Sequence, residues 1–266
     1  MKGVRSVRKL YCCVVLFFSL PLHALYNGNP SDPMLPENGF LIPEDAWFGV
    51  KTGYEWDRVL DKSLRVAKGG VKKNLDDFDF TANSGILTLG FGDRVEAYGG
   101  LGVSNASFSD HPISNTKISY HTQTQLSWST GGRAILAFWS ETFLGIFAGY
   151  LQFYPHLDSI KVNKESFQTE GAKMHYREWQ VGVGVSHKIK FFVPYAGVQY
   201  TDVRAKVAHL NSLVSFFPKK YFLIKNQKEV GLYFGCSIAP EKLFSLNLEA
   251  RVINETAVTA SADIRF

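Results

Sequence analysis

Hydrophobic and polar residues alternate strictly over the last stretch of the chain, residues 256–266. The apolar positions are Val258, Ala260, Ala262, Ile264 and Phe266, and the polar positions between them are Thr259, Ser261, Asp263 and Arg265. This alternation predicts a strand with one apolar and one polar face. A soluble edge strand would show the same pattern, but the stretch also has the length of a tilted strand that crosses a bilayer. The chain ends on an aromatic residue, as bacterial outer-membrane barrels typically do, so Ile264 and Phe266 are predicted to form part of an assembly signal.

Earlier segments also have strand-like patterns, which gives about ten strands, with eight and twelve as the limits. The other predicted strands occupy residues 46–59, 76–91, 94–103, 118–138, 143–154, 175–186, 191–204, 230–238 and 244–252. The strand at 118–138 is unusually long, because strands of soluble domains usually have about five or six residues. In the second strand Phe78 and Phe80 fall on even positions and Leu87 and Leu89 on odd positions, which predicts a bulge at residues 83–85.

The connections between these strands alternate between long and short. Long polar loops are predicted at 61–74, 104–117, 155–173 and 206–227, and short turns at 92–93, 140–141, 188–190 and 239–242. Only the last hairpin, at 254–255, is short where a long loop is due. Short turns at one rim and long loops at the other are typical of transmembrane barrels, and closure removes free strand edges. We therefore predict an all-β fold, a transmembrane antiparallel up-and-down β-barrel formed by residues 46–266, with Pro194 near a rim.

The first 24 residues have the pattern of a secretory signal peptide. Basic residues precede an apolar run at 10–20, and Ala24 offers a cleavage point. An uncleaved anchor is the alternative, and no later stretch is long enough for a transmembrane helix. Residues 25–45 are rich in Pro, Gly and Asn and are predicted to form an irregular periplasmic lead-in to the barrel. Cys12 and Cys13 fall in the signal peptide, so Cys236 is left without an internal disulfide partner.

Composition and charge narrow the function classes. The chain is 45% hydrophobic and 14% aromatic, which fits a membrane barrel and also a large soluble β-protein. The net charge is +5, and part of it lies in the signal peptide, so a nucleic-acid partner gains no support. Aromatic residues are predicted to form girdles at the membrane surfaces, with ordinary strand packing as the alternative: Trp47, Tyr54, Trp56, Trp128, Trp179 and Tyr200.

Along each predicted strand, the polar residues that alternate with the apolar ones are predicted to point into the barrel and to line its lumen. The residues predicted to line it are Lys51, Glu55, Asp57, Arg94, Glu96, His121, Arg133, Glu178, Glu249, Arg251, Asp263 and Arg265. The positive and negative side chains in this set are nearly equal in number, which predicts weak charge selectivity. Inward glycines leave space for a pore, at Gly49, Gly53, Gly182, Gly184, Gly231 and Gly235. A ten-strand barrel is narrow, however, and opposed Arg and Glu side chains could pair across it and close it.

Several blocks of sequence resemble one family, the chlamydial major outer membrane protein, which is a porin family. These blocks are 22–33 around the predicted cleavage point, 53–60 in the first strand, 176–180 with 192–198 in a central hairpin, and 249–266 in the last hairpin. The chain looks like a short, cysteine-poor paralogue, so a role in a disulfide network is in doubt. The resemblance implies an outer-membrane location, passive diffusion of small solutes and ions, and a homotrimer. Its implied partners are outer-membrane lipid and the barrel-assembly machinery.

Two other functions compete with the porin hypothesis. A non-conducting structural or adhesive barrel would act through its long loops. An enzyme would need a nucleophile, a base and an orienting acid, and no spacing brings these together among His111, His121, His156, His175, Asp110 and Ser119. The glycine-rich stretch 90–102 lacks the Lys-Ser/Thr end of a phosphate loop. The sequence therefore predicts a protein that is not an enzyme, with no cofactor and no metal.

Overall fold

The computed structural model describes residues 26–35, 41–42, 46–67, 73–113, 116–163, 165–168, 171–208, 221–239 and 243–266. These residues form one antiparallel sheet of sixteen strands and a short 3₁₀ turn at Asp32–Met34. The ten long strands are β1 (Phe48–Lys62), β4 (Asp77–Phe91), β5 (Val95–Ile113), β7 (Gln125–Trp139), β8 (Thr142–Phe153), β11 (Lys173–His187), β12 (Phe192–Ala208), β14 (Val230–Ile238), β15 (Phe244–Val252) and β16 (Glu255–Arg265). The short strands are β2 (Leu64–Val66), β3 (Lys73–Asn74), β6 (Thr116–Thr122), β9 (Leu157–Val162), β10 (Glu165–Gln168) and β13 (Tyr221–Asn226).

The ten long strands close into a barrel. Each pairs with the next long strand along the chain, and β16 pairs with β1 in a register that runs from Lys51 opposite Arg265 to Lys62 opposite Glu255. The backbone N–H of Phe266 adds a hydrogen bond of 2.8 Å to the carbonyl oxygen of Val50. The predicted up-and-down barrel of ten strands is therefore confirmed.

The two rims differ as the sequence predicts. Tight turns join long strands at one rim, where Asp93, Ser140 and Lys190 have positive φ angles of 50°, 53° and 57°. At the other rim, much of what the sequence indicates as loop continues as strand: β5 extends to Ile113, and all six short strands lie there. The short last hairpin is also explained, because β13 and β2 pair with each other above it and complete the wall.

Along the barrel axis, the interior changes from polar to apolar, and the outer surface changes from apolar to polar. On β4, Phe78 and Phe80 point inward and are almost fully buried, whereas Leu87 and Leu89 point outward and are exposed. The pairing of β4 with both neighbours is continuous, so the predicted bulge at 83–85 is wrong. The strand keeps its phase, and the interior itself changes from polar to apolar.

We call the long-loop part of the barrel the upper storey and the rest the lower storey. The upper storey encloses an apolar core that includes Val59, Phe78, Phe80, Phe108, Tyr120, Phe153, Tyr176, Val203, Val207, Phe222 and Ile224. The rings of Phe80 and Tyr176 stack at 5.6 Å, and those of Phe108 and Tyr120 at 4.7 Å. The outer face at this level is polar, with Asp77, Asp79, Lys117 and Arg204 exposed or half-buried. The upper storey is thus packed like a soluble domain.

The lower storey has the opposite arrangement. Its interior is polar, and its outer face is a belt of exposed apolar side chains that includes Leu87, Leu89, Leu101, Leu136, Ile146, Val181, Val183, Val198, Phe234 and Leu248. Exposed aromatic residues border the belt near the short turns at Trp47, Phe91, Phe138, Trp139 and Phe191, and near the upper storey at Trp128 and Trp179, beside the half-buried Tyr200. An apolar belt between two aromatic borders is the outer surface of a barrel that spans a bilayer. The described residues contain no helix that is long and apolar enough to cross a membrane.

Candidate functional site: the occupied interior

A segment of the chain lies inside the barrel. Residues 26–35, called the N-terminal segment below, run through the interior of the lower storey, and all of them except Met34 are buried. The sequence predicts an irregular periplasmic entry segment over residues 25–45; of its described residues, 26–35 are enclosed by the wall, whereas Leu41 is exposed. Residues 1–25 lie outside the described part of the chain, so the signal peptide stays a prediction.

Carboxylates of the wall bind the backbone of this segment. The N–H of Tyr26 donates to Glu55 Oε1 at 3.2 Å, and the N–H groups of Asn27 and Gly28 donate to the carboxylate of Glu249 at 3.3 and 3.2 Å. An irregular backbone inside a barrel needs such partners, because an unpaired buried N–H is costly. The acidic wall therefore explains why an irregular segment is stable in the interior.

Arg133 of β7 is the main side-chain anchor. Its Nη1 lies 3.0 Å from Asp32 Oδ2, its Nε donates to the carbonyl oxygen of Asn27 at 3.3 Å, and its guanidinium lies 4.9 and 5.0 Å from the ring centres of Tyr26 and Tyr98. Burial raises the pKa of the Asp32 carboxyl to about 7, although Arg133 acts in the opposite direction. These contacts combine an ion pair with cation–π stacking and hold the segment against one side of the wall.

The two ends of the segment are fixed by further contacts. Lys51 donates to the carbonyl oxygen of Asp32 at 2.6 Å and also contacts the Leu35 carbonyl and Glu96. The Asn29 amide donates to Ser237 Oγ at 2.8 Å. Gly28 has a φ angle of +89°, and a Cβ there would collide with the guanidinium of Arg133, so this position requires glycine.

A second layer of charges separates the N-terminal segment from the apolar core. Arg251 lies at its centre, with Nη2 2.7 Å from Asp57 Oδ1, Nε 2.6 Å from Glu255 Oε1, and Nη1 3.3 Å from Glu249 Oε1. Lys62 joins it and lies 2.6 Å from Glu178 and 2.7 Å from Glu255. All of these side chains are buried, and each cation has at least two carboxylate partners. This layer connects β1, β11, β15 and β16 across the interior.

Ten of the twelve residues predicted to line the lumen do point into the interior. They are Lys51, Glu55, Asp57, Glu96, Arg133, Glu178, Glu249, Arg251, Asp263 and Arg265. Arg94 does not, because it lies exposed in the turn before β5, with its guanidinium 5.3 Å from the ring centre of Phe138. His121 does not either, because the inward positions of β6 are Ile118 and Tyr120.

Sequence reasoning missed several interior groups. Lys62 lies beyond the predicted end of the first strand, and Glu255 lies next to the last turn, so neither was assigned to the wall. Asp32 belongs to a segment without periodicity. One feature of the sequence does indicate such groups: the predicted inward carboxylates outnumber the inward Lys and Arg residues. The unpaired carboxylates require additional hydrogen-bond donors from elsewhere in the chain.

The space beside the inward glycines is filled. A Cβ on Gly182 would meet the ring of Phe147, and one on Gly184 would meet Tyr233. Gly231 and Gly235 are likewise covered by Asn254 and Tyr195. Glycine lets these side chains lie flat against the wall, so the glycines here allow dense packing instead of leaving a pore open.

Two of the candidate catalytic groups, His111 and His121, lie on the outer surface of the barrel. His111 pairs with Asp76 at 2.5 Å on the exposed surface of the upper storey, and His121 lies on the outer face of β6. Across the described ranges, no group of three or more His, Cys, Asp and Glu side chains is arranged to hold a metal ion.

The chain is similar to known proteins of one family. The family model described as Chlamydia major outer membrane protein matches residues 163–211. The major outer membrane porin of Chlamydia pneumoniae is 23% identical over 92% of this chain and 95% of its own length. That of Chlamydia psittaci is 22% identical over 98% of this chain and its whole length.

The chain also has a partial likeness to solved structures of other proteins. The translocator domain of the autotransporter NalP from Neisseria meningitidis has a TM-score of 0.45 and 10% identity, and covers 89% of this chain and 91% of its own. OprG from Pseudomonas aeruginosa has a TM-score of 0.41 and 11% identity, and covers 83% and 96%.

The closed ten-strand wall and its apolar belt define the class of this protein, an outer-membrane β-barrel in contact with membrane lipid. Its relatives are the chlamydial major outer membrane porins, so the resemblance seen in the sequence is confirmed. The alignment with the Chlamydia pneumoniae porin extends over 372 positions, whereas this chain has 266 residues, so that relative carries additional segments.

Proposed function

We propose that this protein is an outer-membrane porin-like channel for passive diffusion of small solutes and ions, and that its N-terminal segment closes the pathway in the state described here. Two facts support the proposal: the relatives are named porins, and the lower storey is polar inside. The observation that carries it is that the lower interior is filled by a segment that is not part of the wall. Its contacts with the wall are hydrogen bonds and ion pairs, which water can replace when the segment leaves.

The charges of the wall support weak selectivity once the segment is displaced. The inward basic residues that the structure describes are Lys51, Lys62, Arg133, Arg251 and Arg265, and the inward acidic residues are Glu55, Asp57, Glu96, Glu178, Glu249, Glu255 and Asp263. The acidic side chains are in slight excess. We therefore expect a weak preference for cations rather than a strong single-sign filter.

The apolar core of the upper storey favours a second function, a non-conducting structural or adhesive barrel that acts through its long-loop rim. Rings such as Phe80, Phe108, Tyr176 and Phe222 pack in the upper interior, and the core that the described residues form there is apolar and aromatic. Conduction requires this storey to open as well. A barrel that never opens would still present the long-loop rim to partners.

Two partners are part of the proposal. The barrel-assembly machinery would read the last strand and its terminal Phe266, and the family resemblance would make the protein a homotrimer. The curated relatives are named as porins, so no catalytic function is proposed.

Planar-bilayer recording of refolded protein separates the two functions. Three chains are compared: the mature chain, a chain that begins at residue 36, and a chain whose residues 26–35 are replaced by Gly and Ser at the same length. A gated porin gives rare openings in the mature chain and more openings in both variants, although the apolar core of the upper storey still limits how often the pathway opens. The Gly/Ser chain is the matched control, because it keeps the length and removes only the specific contacts.

Different electrophoretic positions of boiled and unboiled samples show that each chain is folded. Folded but silent protein for all three chains would contradict the porin and support the structural or adhesive barrel.

A further inference from the structure

Four basic side chains lie side by side on the outer wall, on four adjacent strands. Arg177 of β11 is opposite Arg204 of β12, Arg204 is opposite Lys225 of β13, and Lys225 is opposite Arg65 of β2. Neighbouring strands are about 4.8 Å apart, so these four residues, called the basic row below, span about 15 Å. On the same face, His175 and Lys206 lie one step farther from the belt and Lys173 lies two steps farther.

The basic row faces outward. The residues that alternate with it, Tyr176, Ala205, Ile224 and Val66, are inside and at most 3% exposed. Since side chains of a strand alternate between its faces, the basic residues must point away from the interior. Arg177, Arg204 and Lys225 are exposed, and Arg65 is half-buried.

The height of the row is fixed by the aromatic border below it. Trp179 lies two residues after Arg177 on β11, Tyr200 lies four residues before Arg204 on β12, and their ring centres are 5.4 Å apart. Below them the exposed residues are apolar, such as Val181 and Val198. Interfacial aromatic residues mark the headgroup level, and the long-loop rim of such barrels is extracellular. The row therefore lies at the headgroups of the outer leaflet.

The charge of the row is poorly compensated. Among the described residues, Asp202 pairs with Arg204 at 2.9 Å, and Glu229 lies beside Tyr200. Elsewhere on the upper storey, Arg58 pairs with Asp79 at 3.1 Å and Lys117 with Asp77 at 2.9 Å. Like charges directly opposite each other on neighbouring strands are destabilising. A row of this kind is stabilised by an anion from outside the chain.

We propose that the basic row binds the phosphate groups of phosphorylated glycolipid in the outer leaflet. Three arginines and one lysine present several donors in a line, and guanidinium groups bind phosphate through paired hydrogen bonds. The apolar wall directly below the row accommodates the acyl chains of the same lipid. Headgroup and chains thus meet matching surfaces on one side of the barrel, and this site is independent of whether the lumen conducts.

The test measures how the full mature protein in detergent micelles binds fluorescent lipid A with two phosphates, and lipid A from which the phosphates have been removed. The wild-type protein is expected to bind the phosphorylated form at least tenfold more tightly, and the difference is expected to shrink with salt. Equal binding of both forms by the wild type would overturn the proposal without any variant.

The variant R65Q/R177Q/R204Q/K225Q locates the site. Each Lys or Arg near an anionic lipid surface contributes about fivefold in affinity, so four replacements are expected to remove most of the preference for phosphate. The control R58Q/K117Q neutralises two exposed cations that already have acidic partners, and it is expected to keep the preference. Unchanged binding by the folded fourfold variant, or an equal loss in the control, would overturn the assignment.

Discussion

Arg251 of β15 and Asp57 of β1 meet on the inner side of the strand between them, β16, with Nη2 2.7 Å from Oδ1, although 194 positions separate them in the sequence. Neither side chain has access to water, and Thr259 donates to the same carboxylate at 2.6 Å. A buried pair contributes little net stability, but removal of one partner leaves an uncompensated charge. The pair therefore makes β1 and β15 depend on each other.

Asp57→Ala is expected to destabilise the folded barrel by about 1–3 kcal/mol, because Nη2 of Arg251 loses its buried partner while Glu249 and Glu255 still compensate the charge. The measurement is the free energy of unfolding in urea with the protein in detergent. The double variant Asp57→Ala/Arg251→Met removes both charges, and its cost is expected to be smaller than the sum of the costs of the two single variants. If the two replacements add independently, the ion pair is not the cause.

The last strand carries the prediction about assembly. Ile264 is outward and 46% exposed, so Ile264→Asp places a carboxylate on the lipid face and costs up to a few kcal/mol, depending on depth. Deletion of Phe266 removes the hydrogen bond to Val50 and the terminal aromatic residue. Both changes are expected to lower the amount of heat-modifiable protein in the outer membrane. The matched control is Asp263→Asn, because Asp263 points inward. An equal loss for the control would mean that it does not matter which face of the strand is changed.

Glycine packing gives a prediction with a close control. Gly182→Ala is expected to cost about 1–3 kcal/mol, because its Cβ would collide with the ring of Phe147 and approach the Val198 carbonyl to 2.6 Å. Gly85→Ala, where no atom lies within 4 Å of the new Cβ, is expected to be neutral or stabilising. Both are compared by the temperature at which the unboiled gel position is lost. Equal behaviour would show that the interior is looser than described.

The N-terminal segment is expected to respond to pH through Asp32. Burial raises the pKa of this carboxyl to about 7, whereas a free Asp has a pKa of about 3.9, so the docked segment holds a proton that the released segment has lost. This contribution to docking is complete below about pH 4 and is lost as the pH rises through 7. Docking is therefore weaker at pH 8 than at pH 5.

Thiol labelling measures this effect. Ser31→Cys, in a chain with Cys236→Ser, is expected to react with a small water-soluble maleimide more readily at pH 8, beyond the increase caused by ionisation of the thiol itself. The same chain with Asp32→Asn supplies that reference, because it cannot titrate at this position. A ratio between the two chains that stays constant from pH 5 to pH 8 would contradict the prediction.

The sequence predicts the lower storey well and the upper storey poorly, for one physical reason. Below the aromatic border, lipid outside and polar groups inside produce a plain alternation, as on β16. Above it, water is outside and the core is apolar, so the alternation continues with its two faces exchanged. On β4, the apolar residues change from inward to outward positions, which looks in the sequence like a one-residue shift of the alternation. The predicted bulge follows from that interpretation.

The position of the N-terminal segment could not be predicted in the same way. Its residues, such as Asn27, Gly28 and Asn29, have the composition of a surface loop and no periodicity. What places them inside is the set of wall carboxylates from distant strands, Glu55 and Glu249. That pairing forms only when the barrel closes, so it cannot be predicted from the local pattern of apolar and polar residues.

The enclosed N-terminal segment also constrains the order of events during biogenesis. It is made first, yet its partner Arg133 is on β7 and Glu249 is on β15, the ninth of the ten long strands. The segment can be fully bound only when nearly all of the wall has been synthesised, and a sealed wall would hinder its passage. The pairing of β16 with β1, which closes the barrel, must therefore form after the N-terminal segment has entered the interior. Residues 26–35 are thus in place before the last strand completes the wall.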